Sequence, residues 1–124
     1  MRIMVNESAE NYLETILMLS ETLPVVRSVD IANELGFKKS SVSVAMKNLR
    51  EKEHITVTDA GFIYLTESGR SIAEMIRERH QLLTLWLPKL GVPEGIASED
   101  ACKLEHVLSK ESFEAIKKHA NQYK

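Results

Sequence analysis

Residues 55–65 interrupt a chain that is otherwise patterned for helices. Ile55-Thr56-Val57-Thr58 and Phe62-Ile63-Tyr64-Leu65 are short runs rich in β-branched and aromatic residues, and Asp59-Ala60-Gly61 supplies a turn between them. Three helical patterns precede this hairpin. Residues 7–20 carry Tyr12, Leu13, Ile16, Leu17 and Leu19 at helical spacing, and Pro24 with the β-branched pair Val25-Val26 ends the pattern. Ser28 is the expected N-cap of a short second helix, with Asp30 in its first turn, Val29, Ile31, Ala32 and Leu35 on one side, and Gly36 as its stop. A third helix opens at Lys39 or Ser40 and repeats Val42, Ala45, Met46 and Leu49 at intervals of three and four. Helix, turn, helix and then hairpin is the order of a winged helix-turn-helix, so the fold class expected is mainly α with a small β-hairpin wing.

Charge suggests what this module meets. The 124 residues carry a formal net charge of -2, which excludes the overall basicity of a nonspecific nucleic-acid coat. Residues 36–52 nevertheless hold Lys38, Lys39, Lys47, Arg50 and Lys52 against Glu51 alone, a local +4 where a recognition helix would meet phosphates. Ser40, Ser41 and Ser43 offer short hydroxyls at the front of the third helix for phosphates or base edges, and no Arg, Asn or Gln stands at that front for bidentate base reading. The candidate DNA contacts are Arg27, Lys38, Lys39, Ser40, Ser41, Ser43 and Lys47.

After the hairpin, Thr66 or Ser68 caps a helix of about 20 residues, roughly 30 Å long. Its apolar face includes Ile72, Met75, Ile76, Leu82, Leu83, Trp86 and Leu87, His80 lies in its middle, and it stops between Pro88 and Gly91. A fifth helix is expected over residues 93–108, with Ile96, Ala101, Leu104, Val107 and Leu108 apolar; Ser109 then starts a sixth with Phe113 and Ile116. On the fifth helix Cys102, Glu105 and His106 stand at i, i+3 and i+4, which would bring a thiolate, a carboxylate and an imidazole to one face. That donor set suits a borderline divalent transition metal and not calcium or magnesium. Taken alone it also reads as a small buried side chain beside surface groups, just as Asn11 and Glu14 on the first helix read as a solvated face. Trp86, Leu87, Leu104, Val107, Leu108, Phe113 and Ile116 present more apolar surface than these short helices cover, so a homodimer is expected. Residues 1–70 are accordingly assigned to a winged helix-turn-helix DNA-binding domain and 71–124 to a helical metal-binding and dimerisation domain.

Six segments, in chain order, carry a resemblance: Ser8-Ala9-Glu10-Asn11-Tyr12-Leu13-Glu14-Thr15-Ile16, Asp30-Ile31-Ala32, Ser41-Val42-Ser43, Leu65-Thr66-Glu67-Ser68-Gly69, Arg79-His80-Gln81-Leu82-Leu83, and Cys102-Lys103-Leu104-Glu105-His106-Val107-Leu108-Ser109. The chain resembles the diphtheria-toxin-repressor and manganese-transport-regulator family over nearly its whole length. The resemblance implies a dimeric, metal-activated repressor of metal-homeostasis genes whose N-terminal winged domain binds palindromic double-stranded operator DNA. It implies ligands at Asn11 and Glu14 on the first helix, His80 on the long helix, and Cys102, Glu105 and His106 on the fifth. Asn11 stands where the manganese branch has Asp and the iron branch Met, Cys102 follows the iron branch, and Glu14 follows the manganese branch. The metal is therefore expected to be Fe(II) or Mn(II), with Co(II), Ni(II) or Zn(II) able to bind in vitro. Thr84 and Ser98 replace a Glu and a His of a second site in the iron branch, and the end at Lys124 matches shorter members without an SH3-like domain.

A single Cys excludes an intramolecular disulfide framework, no apolar leader follows Met1, and no stretch approaches the about 18 apolar residues that span a bilayer. A cytoplasmic protein with neither a membrane partner nor a small-molecule substrate is expected. The alternative is a metal-independent winged-helix regulator in which Cys102 senses oxidants. A Cys102–His106 catalytic pair is the weaker rival, since no substrate cleft or oxyanion-stabilising loop is evident, and the chain is not expected to be an enzyme.

Overall fold

In the computed structural model residues 7–122 are described, and the reading of the chain's start as leaderless lies outside them. The order is α1 (Glu7–Ser20), α2 (Ser28–Leu35), α3 (Lys39–Glu51), β1 (Ile55–Val57), β2 (Ile63–Leu65), α4 (Glu67–Lys89), α5 (Glu94–Leu104) and α6 (Lys110–Gln122). Glu7–Glu74 forms one compact unit, and the described residues from Met75 onward form another.

The first unit is built as its apolar stripes require. α1 buries Tyr12, Leu13, Ile16, Leu17 and Leu19; α2 contributes Ile31 and Ala32; α3 contributes Val42, Met46 and Leu49; and the hairpin adds Ile55 and Ile63. Each large aliphatic side chain so buried favours the fold by about 1.5–3 kcal/mol, more than local propensity supplies. The start of α2 differs from expectation. Arg27, not Ser28, is the N-cap, because the Asp30 carboxylate reaches back to accept the Arg27 N–H at 2.9 Å, which places Ser28 in the first turn. Gly36 ends α2 in the left-handed conformation at φ 69°, as a helix stop demands.

The hairpin is antiparallel, with Ile55 opposite Leu65, Thr56 opposite Tyr64 and Val57 opposite Ile63. Ile63 also donates its N–H to the Val26 carbonyl at 2.8 Å. The β-branched residues that break α1's pattern thus return as the segment that ties the wing to the helices. At the wing's base the Thr66 hydroxyl donates to the Glu53 carbonyl at 2.7 Å and accepts the Gly69 N–H at 3.2 Å. Here α4 passes so close to the start of β1 that a Cβ on Gly69 would lie 1.9 Å from the His54 carbonyl oxygen. Only glycine admits that approach.

In the second unit α4 runs on to Lys89, carrying Pro88 within its last turn; its 23 residues correspond to about 35 Å. Ile76 and Leu83 of α4, Ala97 and Ala101 of α5 and Phe113 of α6 are buried. α5 stops at Leu104, short of the expected residue 108. Its end tightens through His106 N–H to Lys103 O (3.3 Å) and Val107 N–H to Leu104 O (3.1 Å). The Ser109 hydroxyl then accepts the Ser112 N–H at 3.0 Å and caps α6. Lys117 donates to the Glu78 carboxylate, a hydrogen bond that raises the pKa of its amine above the usual lysine value. Among the described residues no helix is long and apolar enough to cross a membrane.

Candidate metal centre

Ala97, Ala101 and Glu105 recur every four residues and form the buried stripe of α5 and the turn that follows it. Of the apolar positions expected on this helix Ala101 is buried, Leu104 and Leu108 are half-buried, and Ile96 and Val107 are exposed. Two alanines permit close packing, and the third position of the stripe carries a carboxylate, 2% exposed, into the interior. An isolated charge there would be strongly unfavourable, so its partners decide whether the position is tolerable. Two imidazoles face it: His80 Nδ1 lies 2.7 Å from Oε1, and His106 Nε2 lies 3.5 Å from Oε2. The shorter contact is a hydrogen bond between ring and carboxylate, which ties the side chain of α4 to the turn after α5.

Cys102, one turn before Glu105, is exposed. Its sulfur, a ring nitrogen of His80 and a carboxylate oxygen of Glu105 all lie within 4.8 Å of one another. Metal–donor bonds of about 2.0–2.3 Å hold two donors no more than about 4.6 Å apart, so only small side-chain adjustments separate this arrangement from a shared ion. One thiolate, one imidazole and one carboxylate fit a borderline divalent transition metal, and a buried carboxylate where the stripe calls for an apolar residue marks a site set by chemistry and not by packing.

Of the six expected ligands, the structure brings His80, Cys102 and Glu105 together. His106 is buried beside Glu105 while Cys102 is exposed, so the single face expected for all three does not persist beyond Leu104. Asn11 and Glu14 lie on α1 of the winged unit, where they line a cavity of about 210 Å3 with Ser8, Tyr12 and Phe37. Thr84, one turn beyond His80, buries its hydroxyl without a hydrogen-bond partner, and Ser98 is exposed; neither supplies a charged donor.

Arg79 directly precedes His80 on α4. Arg79, 7% exposed, donates from Nη1 to the carbonyls of Leu108 (2.7 Å) and Glu105 (3.3 Å), and its guanidinium lies over the Phe113 ring at 5.2 Å. Consecutive residues of α4 therefore grip the same turn, Arg79 by its backbone and His80 by its carboxylate. The available signal was position: Arg79 falls between Ile76 and Leu83 on the buried stripe of α4.

On the winged unit Lys38, Lys39, Ser40, Ser41, Ser43 and Lys47 are all exposed on or at the start of α3, away from buried Val42, Met46 and Leu49. The exposed Arg27 guanidinium stands 3.8 Å from Asp30. Val44 and Asn48, not singled out from the sequence, are exposed on the same side of α3.

A winged helix-turn-helix joined in one chain to a helical unit with a transition-metal donor set defines a metal-responsive DNA-binding regulator. Comparison with known proteins gives the family. Residues 4–60 match the N-terminal DNA-binding domain of the iron-dependent repressors, and residues 66–124 match their metal-binding and dimerisation domain. The chain belongs to the iron-dependent repressor family, the diphtheria-toxin-repressor and manganese-transport-regulator group that its motifs resemble. It is 34% identical over 122 residues to an uncharacterised HTH-type transcriptional regulator of Methanocaldococcus jannaschii, covering 97% of this chain and 98% of that one. It is 33% identical over 111 residues to the transcriptional regulator MntR of Escherichia coli, covering 90% of this chain and 72% of that one. A solved manganese-dependent transcriptional repressor in complex with manganese aligns with a TM-score of 0.79 at 27% identity, over 91% of this chain and 52% of that chain. The present chain thus spans about half the length of that structure. A metal-independent regulator with a redox-sensing Cys102 is not favoured, since the domain holding Cys102 matches a metal-binding one.

Proposed function

We propose that this protein is a cytoplasmic, metal-dependent transcriptional repressor that binds a palindromic operator as a homodimer and controls metal-homeostasis genes. The observation that carries this reading is the convergence of His80, Cys102 and Glu105 within 4.8 Å around a buried carboxylate. We assign the ligand set as Asn11, Glu14, His80, Cys102, Glu105 and His106, and the metal as Fe(II) or Mn(II). The thiolate favours Fe(II), Co(II) or Zn(II) in raw affinity, and cellular availability selects among them. When bound, the ion supplies the positive charge that neutralises the Glu105 carboxylate and the Cys102 thiolate.

The chain's own residues do the rest. His80, Cys102 and Glu105 would hold the ion in their deprotonated forms, so loading would release protons and weaken as pH falls. Arg79 keeps the Glu105 turn in place throughout. With Asn11 and Glu14 in the same ligand set, loading would restrict the placement of the winged units in the dimer. Two recognition helices must meet half-sites about one DNA turn apart, roughly 34 Å, so this restriction decides whether both engage. The shift extends only as far as the differential affinity of metal for the two arrangements. Leu82, Leu85 (69% exposed) and Trp86, with Glu78, Gln81 and Lys89 beside them, line a groove of about 280 Å3 between α4 and α6 that offers a face for the second subunit.

The test is retention of a duplex selected from a random library, measured by gel shift with Mn(II), with Fe(II) and with chelator. Metal should strengthen retention at least tenfold, and Glu105→Ala or Cys102→Ala should remove the gain together with the bound metal. Equal retention in metal and chelator rejects the reading.

A further inference from the structure

The centre of the exposed face of α3 is Ser40, Val44, Lys47 and Glu51, spaced by four, three and four residues opposite the buried Val42, Met46 and Leu49. Val44 is 61% exposed there. Single apolar residues on a surface are ordinary, and this one is notable for its position and its neighbours. Ser40, Ser41, Ser43, Lys47 and Asn48 around it are all polar and exposed, and Lys38 and Lys39 lie at the N-terminal end of the same helix. A β-branched residue on an open helix face does not serve helix propensity, and nothing within the unit packs on it closely enough to cover it. The lysines and hydroxyls fit phosphates and the polar edges of bases. Among the base edges in a DNA major groove the one apolar group is the C5-methyl of thymine.

We propose that Val44 is a specificity-determining residue that reads thymine, its isopropyl group packing on the C5-methyl of one thymine in each operator half-site. The inference rests on the reading of the chain as an operator-binding regulator and deepens it by naming a base and the group recognised. Serine and lysine side chains hold the helix on the backbone, and Asn48, one turn along the same face, is placed to offer hydrogen bonds to an adjacent base edge. Removal of one methyl group from such a contact corresponds to a loss of about fourfold in affinity per half-site, and about 16-fold for both halves of a palindrome.

The experiment selects duplexes from a random library with the metal-loaded full chain, then replaces each thymine of the selected half-site by deoxyuridine, which lacks the methyl group. Wild-type protein should show one symmetric thymine pair whose replacement costs about 16-fold in affinity by fluorescence anisotropy. Val44→Ser, whose fold is checked by circular dichroism, should bind deoxyuridine and thymine duplexes equally, while Val44→Ile keeps the discrimination. The double-mutant cycle isolates the pair from general effects on DNA shape. A deoxyuridine penalty that survives Val44→Ser unchanged, or no sensitive thymine at all, overturns the assignment while leaving operator binding intact. An unchanged penalty together with an altered sedimentation coefficient for Val44→Ser would place Val44 in a contact between copies and equally overturn it. Failure to select any sequence in metal overturns both this inference and the reading beneath it.

Discussion

Replacing Arg79 by Met removes the grip on the Glu105 turn while keeping an unbranched stem of similar length in the same place. Arg79 is 7% exposed, and its charge-assisted bond to Leu108 O is 2.7 Å long, with a weaker one to Glu105 O at 3.3 Å. A hydrogen bond from a charged donor contributes about 1.5–3 kcal/mol, and a cation over an aromatic ring about 0.5–1 kcal/mol more. The expected loss is therefore about 3 kcal/mol, which for a chain of this size lowers the thermal midpoint by roughly 10 °C. Circular dichroism of the metal-free protein reads this change. Because Glu105 rides on the released turn, Co(II) affinity measured well below the midpoint should fall about tenfold as well, through loss of pre-organisation. Arg79→Lys should rescue these quantities only in part, since an ammonium can donate to the two carbonyls that Nη1 serves but lacks the planar guanidinium that lies over the Phe113 ring. A Met variant with the wild-type midpoint and unchanged Co(II) affinity would refute the role given to Arg79.

Other consequences can be measured separately. Gly69→Ala forces a Cβ against the His54 carbonyl oxygen, where the space is 1.9 Å, and should destabilise the winged unit by about 3 kcal/mol in urea unfolding. Glu105→Gln keeps the shape but removes the anion between two imidazoles; the fold should survive, with metal binding weakened at least tenfold by isothermal titration. Lys39→Ala and Lys47→Ala should each lower DNA affinity for all sequences alike and reduce the slope of log affinity against log salt by about 1.

The helices and the wing were legible because their signals are local. Val42, Met46 and Leu49 define the buried side of α3 by spacing alone, and β-branched residues beside Gly61 define the hairpin. Ser28 misled at the start of α2 because a good capping residue competed with Asp30, whose carboxylate reaches back to Arg27. The carbonyls of the turn after α5 are satisfied by Arg79, a partner far away in sequence, and no local pattern reveals that pairing. The site was visible as residue types and only in part as geometry. Cys102 and Glu105 keep their helical relation, whereas His106 follows the turn into the interior. Burial of Glu105 was hidden because a stripe of Ala97, Ala101 and a glutamate does not look apolar, yet its third member is almost fully enclosed.

Metal and DNA binding are coupled in the proposed switch, and thermodynamic linkage makes the coupling measurable from either side. If metal raises operator affinity by some factor, operator must raise metal affinity by the same factor. Co(II) titrations of the protein, alone and saturated with a selected duplex, followed through the thiolate absorption of Cys102, give that factor directly. Co(II) should bind at least tenfold tighter with the duplex present, matching the gain in duplex affinity on adding Co(II), and Glu105→Gln should show no such gain. Identical Co(II) affinity with and without DNA would contradict it.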